Sequence, residues 1–163
     1  MGEVRSGIQR IDDALIEATL ARARASPRRR ANHNLHASHT DGFHRFLNAW
    51  VRGTYAAPHR HVAVPKPEAF VVLRGKLACF IFDGTGAVTE SAVLGEGGLF
   101  GIDIAAGVWH TLLPVTDEAV CFEVKPGPWD PATDKEFAPW APREGEASAA
   151  AYATHLLTTL RQD

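Results

Sequence analysis

GTYAAPHRHVAVPKPEAFVVLRG, residues Gly53 to Gly75, sets two histidines one residue apart, follows them with Pro-Lys-Pro, and opens an apolar run on a glutamate. Side chains on a strand alternate between faces, so His59 and His61 project the same way, with their Cα atoms about 6.5–7 Å apart. Two such imidazoles can converge on one ion. Glu68 heads the next apolar run, and if VAVPKP is the connecting loop its carboxylate can return to the same face. A third histidine has to come from elsewhere. His110 in GVWHTLL, three residues after Gly107 at the start of another apolar run, is placed for it.

The surrounding segments have the texture of an all-β unit. From Leu47 to Lys125 short β-rich runs (LNAWVRGTY, EAFVVLRG, LFGIDIA, VWHTLLPV, AVCFEVK) are punctuated by glycine, at the spacing of a sandwich or barrel. KLACFIFD-GTG-AVTESAVL is the clearest hairpin, turning around Asp83-Gly84-Thr85-Gly86. FVVL and LACFIF are apolar on both faces, so something must cover the outside of the sheet, either terminal helices or a second subunit. Upstream, Ser6-Gly-Ile-Gln9 has the form of a capping box. Ile8, Ile11, Leu15 and Ala18 then recur at helical spacing, which predicts an amphipathic helix from residue 7 to about 24. It runs into RARASPRRR, read as a solvated, dipole-compensating helix end in preference to an anion site. Downstream, PGPWDPATDKEFAPWAPREGE is expected to be a strap anchored by Trp129, Phe137 and Trp140, in preference to a lid. Residues 146 to about 161 predict a closing helix. The organisation is one domain over 1–163: helix and basic segment 1–30, β unit 31–125, strap and helix 126–163.

Composition bounds the function. The chain has 163 residues, 45% of them hydrophobic, and a net charge of −2, which suits a soluble globular protein and argues against a nucleic-acid partner. No apolar stretch approaches the roughly 18 residues of a membrane span, so no membrane association is expected. Cys79 and Cys121 both lie inside apolar runs, where reduced cysteines act as small buried hydrophobes; that usage predicts a cytoplasmic location.

These motifs resemble a known family. Gly53, His59-x-His61, Glu68 and Gly75 resemble the first cupin motif, and Gly107-Val-Trp-His110 resembles the end of the second, with a six-residue spacer between His61 and Glu68 and with Ala105 where the family carries proline. RRRANHNLH, PHRHVAVPKPEAFVVLRG, GVWHT and GPWDPATDKEFAPWAP together resemble the WbuC-type cupin-fold metalloproteins over nearly the whole chain. The resemblance implies a mainly β fold, the cupin double-stranded β-helix or small barrel, flanked by N-terminal and C-terminal helices. It also implies one divalent transition metal on His59, His61, Glu68 and His110, and an association with surface-polysaccharide gene clusters without an established reaction.

The residue types point the same way. Imidazoles with a carboxylate suit Fe(II), Mn(II), Ni(II) or Zn(II), and the absence of a cysteine cluster argues against a structural zinc or iron–sulfur site. Asn32, Asn34 and His36 alternate in ANHNLH and on a strand would share a face, as groups lining a pocket or as a polar edge strand. Lys66, between two prolines, can reach an anionic ligand or point to water, the favoured reading. His33, His39, His44 and His155 belong to no constellation and are read as surface or structural histidines. Three functions fit: a metal-dependent isomerase or oxygenase acting on a small polar or sugar-derived molecule, a binding protein that turns nothing over, or a metal-free sugar-nucleotide epimerase using a histidine base. In each the partner is a small molecule, and the uncovered sheet face predicts a homodimer.

Overall fold

The computed structural model describes residues 7–160. In chain order it comprises α1 (Asp13–Ala25), β1 (Arg30–Asn34), β2 (Phe43–Val51), β3 (His59–Arg60), β4 (Glu68–Arg74), β5 (Lys76–Phe82), β6 (Val88–Gly95), β7 (Gly101–Ile104), β8 (Trp109–Pro114), β9 (Glu118–Pro126), β10 (Glu136–Phe137) and α2 (Ala149–Thr158). The strands form two five-stranded sheets, β1-β2-β9-β4-β7 and β10-β3-β8-β5-β6. Every pairing between them is antiparallel. The mainly β, cupin-like architecture anticipated from the motifs is present, as two facing sheets with a helix on each outer side.

Strand alternation sorts the side chains into three apolar layers. Between the sheets lie Trp50, Phe70, Val72, Leu77, Cys79, Leu94, Ile104, Leu112, Ala119 and Cys121. The other face of the first sheet packs Leu47, Ala49 and Val120 against Ile16, Leu20 and Ala23 of α1. The other face of the second packs Ala78, Phe80, Phe82, Trp109 and Leu113 under Ala149 and Leu156 of α2. LACFIF is thus apolar on both faces because α2 covers its outer one. FVVL has no such cover: Val71 and Leu73 remain 45% and 42% exposed, with Leu99 and Phe100 also exposed nearby in the chain. Gly75 makes the corner between β4 and β5 at φ +69°, where a Cβ would strike the Glu118 carbonyl.

Several expectations need correction. α1 begins at Asp13, capped by Asp12, whose carboxylate accepts the Leu15 amide at 2.9 Å. Ser6 of the supposed capping box lies outside the described residues, and Gln9 reaches across to donate to the Leu35 carbonyl at 2.8 Å. Asp12 is itself a preferred N-cap, and it competes with the upstream signal. The closing helix is shorter than its periodicity suggested, ending at Thr158. The arginine run is paired rather than merely solvated. Arg24 bridges Glu17 and Glu118, and Arg28 and Arg30 converge on Glu144. Among the described residues no helix is long and apolar enough to cross a membrane.

Candidate metal centre

Pairing of β3 with β8 sets His59 opposite His110. His61 follows immediately after β3, on the same face as His59. Glu68 does not return on that sheet. The six-residue spacer, a mostly exposed loop that begins with a turn at 62–65, passes from one sheet to the other, so the carboxylate enters from β4 of the facing sheet. That crossing explains the spacer's length. The four side chains are each 7% exposed or less, and one ligand atom from each lies within 4.8 Å of all the others.

The hydrogen bonds decide what these atoms are ready to bind. His59 Nδ1 faces the Ala57 carbonyl at 3.1 Å, His110 Nδ1 faces the Val108 carbonyl at 2.9 Å, and His61 Nδ1 faces the Asp134 carbonyl. A carbonyl can only accept, so each Nδ1 carries the ring proton and each Nε2 of a neutral ring presents a lone pair. Yet His61 Nε2 lies 2.9 Å from Glu68 Oε1, and His110 Nε2 lies 3.0 Å from Glu68 Oε2. Lone pairs so placed repel unless a proton or a metal cation lies between them, and the His110 contact has the geometry for either. His61 Nε2 is within ion-pair range of the carboxylate but outside hydrogen-bonding geometry, and it has no other partner. Adjacent ligands each about 2.1 Å from a zinc-sized ion sit about 3 Å apart, the spacing found here. Burial, then Lys135 and His110, holds the His59 pKa well below its ordinary value, keeping its lone pair free. Burial works to raise the Glu68 pKa, but His110, His61 and Lys125 outweigh it and keep the carboxylate ionised. The four residues therefore fit one divalent cation.

Charged residues inside the sandwich complete the centre. Glu123 and Lys125, alternate positions of β9, point inward beside β4. Lys125 donates to Glu68 Oε1 at 3.1 Å and lies 3.6 Å from Glu123 and 3.8 Å from Asp134. Asn48 donates to the other Glu123 oxygen at 3.0 Å. Lys66 is neither in water nor on the cavity wall. It is 2% exposed, donating to the Pro128 carbonyl at 2.6 Å and to Asp134 at 3.1 Å, and so ties the strap to the motif loop.

A cavity of about 610 Å³ opens over His59, Glu68 and His110. The structure places Asn32, Asn34 and His36 on its wall, with β1 serving as the polar edge strand of its sheet. His39 and His44, read from the sequence as unconnected, line it too; His44 is buried and stacks on His36 with ring centroids 4.1 Å apart. Within the strap, Trp140 packs on Phe82 and Trp109 as an anchor, while Trp129, Asp134, Lys135 and Phe137 form part of the cavity wall. The strap is both anchor and wall. The charged interior pair could have been found in the sequence: Glu123 and Lys125 alternate with apolar residues in a strand whose other inward positions are Ala119 and Cys121.

Fold and side-chain set together define a cupin-like β protein with a buried three-histidine, one-glutamate centre. The chain belongs to the family described as Domain of unknown function (DUF6016), whose model matches residues 11–94 and so includes His59, His61 and Glu68 but not His110. No curated protein matches it significantly. Among solved structures it is similar to the capsular polysaccharide assembling protein CapF from Staphylococcus aureus, with a TM-score of 0.57 and 20% identity over 69% of this chain and 32% of CapF. This chain thus spans about a third of CapF. TT1209 from Thermus thermophilus superposes with a TM-score of 0.52 and 20% identity, covering 71% of this chain and 95% of that one. A structure of the DMSP lyases RdDddP and RnDddQII gives a TM-score of 0.50 at 16% identity, covering 67% and 52%. At these identities the likeness is one of fold alone.

Proposed function

We propose that this protein holds one divalent transition metal on His59, His61, Glu68 and His110 and presents it to a small polar or sugar-derived molecule as a metal-dependent enzyme of the WbuC-type cupin class, acting in surface-polysaccharide metabolism in the cytoplasm. The observation that carries this reading is the commitment of all three Nδ1 atoms to backbone carbonyls, which leaves their Nε2 lone pairs and a carboxylate facing one point. The likeness in fold to CapF, a capsular polysaccharide assembling protein, supports the polysaccharide setting. The metal, when bound, would supply Lewis-acid polarisation of a ligand oxygen. The chain supplies the rest: apolar walls from Phe46, Phe70 and Leu112 that limit water, and polar groups at Asn32, Asn34 and His36 that orient the ligand. The uncovered face at Val71 and Leu73 supports a homodimer.

The test is metal analysis of untagged protein purified without chelator, followed by turnover assays with sugar nucleotides under air and under nitrogen. One equivalent of metal, lost in His59→Ala and His110→Ala, is expected, together with turnover that depends on it. Metal-free wild-type protein that turns over a sugar nucleotide would replace this reading with the histidine-base epimerase. One equivalent of metal without turnover would leave a binding protein.

A further inference from the structure

The charges in the cavity do not cancel once the centre is filled. At its floor, Lys125 and Lys135 meet three carboxylates (Glu68, Glu123 and Asp134), of which Asp134 is also paired with Lys66 behind the wall. At its rim, Arg28 and Arg30 share the single carboxylate of Glu144. A divalent cation therefore leaves the pocket with a positive excess, which a neutral ligand would not relieve.

The excess has an address. Lys66 and Lys125 are bound to named carboxylates, whereas Lys135 makes no hydrogen bond and no ion pair among the described residues. Its neighbours are pinned on both sides. Asp134 is held by Lys66 and by His61, and Glu136 is held by Arg60 at 3.0 Å while it pairs with β3. Lys135 is left facing the cavity from a tethered backbone. The residue keeps solvent-exposed surface, yet its ammonium is crowded, and burial and then Lys125 lower its pKa.

A second unpartnered polar atom, on His36, lines the same cavity. His36 Nδ1 lies 3.0 Å from the Arg45 carbonyl and 3.1 Å from the Arg45 amide nitrogen, so the backbone occupies that ring nitrogen and Nε2 is the one left to the cavity. That atom is buried without a partner on a residue only 5% exposed. The Asn48 Oδ1 atom, also buried and unpartnered, is an acceptor on the cavity wall. One free cationic donor, one unpartnered imidazole nitrogen and one free acceptor match an oxyanion borne on a hydroxylated body.

We propose that the ligand of this cavity is a small hydroxylated molecule carrying a carboxylate or phosphate, and that Lys135 binds that oxyanion beside the metal. This rests on the metal reading above. The probes are glycerate, glycerol 3-phosphate and glycerol, which share a three-carbon polyol body and differ in the anion. Each is titrated calorimetrically into metal-loaded wild type, Lys135→Met and Lys135→Arg, with metal content measured on the same samples. At least one anion is expected to bind the wild type about 10-fold or more tightly than glycerol, and which one does so identifies the oxyanion. Lys135→Met should lose that margin with its metal retained, and Lys135→Arg should recover part of it. Equal binding of glycerol and both anions overturns the proposal, as does an unchanged margin in Lys135→Met. Wild-type protein that takes up no metal overturns the metal reading and this proposal with it, and metal content tells that failure from the others.

Discussion

Replacing Lys66 by Met tests whether the strap is held by a buried ion pair. The Lys66 ammonium is 2% exposed, 2.6 Å from the Pro128 carbonyl and 3.1 Å from Asp134 Oδ1. Methionine fills much of the same volume but leaves the 4% exposed Asp134 carboxylate with Lys125 at 3.8 Å, an ammonium already shared with Glu68 and Glu123. Breaking a buried pair by removing one partner costs about 3–5 kcal/mol, and the residual pairing with Lys125 places this case near about 3 kcal/mol. For a chain of this size that is a fall in Tm of about 6–12 °C, read by calorimetry on metal-free protein. A second effect follows from connectivity. The Asp134 carbonyl accepts from His61 Nδ1, so loosening the strap frees the ring that must face the metal, and chelator competition should show affinity reduced about 10–100-fold. The double variant Lys66→Met/Asp134→Asn removes the orphaned charge and should regain at least half of the lost stability without regaining metal affinity. A Tm within about 2 °C of wild type in Lys66→Met, with unchanged metal affinity, would refute the reasoning.

Other expectations follow from the same contacts. Glu68→Gln keeps the shape of the fourth ligand but removes its charge, so metal affinity measured by chelator competition should fall at least about 10-fold; an unchanged affinity would take Glu68 out of the ligand set. Burial, and then Glu90, pushes the Cys79 thiol up to about 12, and burial, then Glu123, raises Cys121 further. A thiol reagent at pH 8 should therefore label neither cysteine in native protein and both in denaturant. The same shifts fix a sign. The unfolded chain releases these protons near 9 and the folded chain only above about 12, so stability is full below pH 9 and falls as pH rises beyond it. Light scattering at high micromolar concentration should report a dimer, and Leu73→Lys, on the uncovered face of β4, should shift it toward monomer; a wild-type monomer would sink the idea.

The convergence of the candidate metal ligands was readable from sequence because strand alternation makes His-x-His a statement about one face, and the glycines around it mark the strand ends. The route taken by Glu68 was not readable. Local spacing cannot say whether a loop returns to its own sheet or crosses to the facing one, and here it crosses. Lys66 was misjudged for a related reason: its partners, Pro128 and Asp134, lie more than sixty positions away in a segment without periodicity. Periodicity located the helices but overextended both, because Ile8 and Ile11 fit the spacing that Asp12, as N-cap, interrupts. The two-faced apolar pattern of FVVL and LACFIF was sound as a demand for cover, yet it could not tell that α2 would cover one and leave the other bare.

The tether between Asp134 and His61 also sets a timetable. His59, His61 and Glu68 leave the ribosome well before His110, and the carbonyl that orients His61 arrives later still. A half-made chain thus offers two imidazoles and a carboxylate with no partner strand to align them, a weak and unselective trap for metal. Only when the strap has docked do all the ring protons find their acceptors, so for the proposed metal centre acquisition of the ion would be a late event, governed by what reaches the finished molecule rather than the growing one.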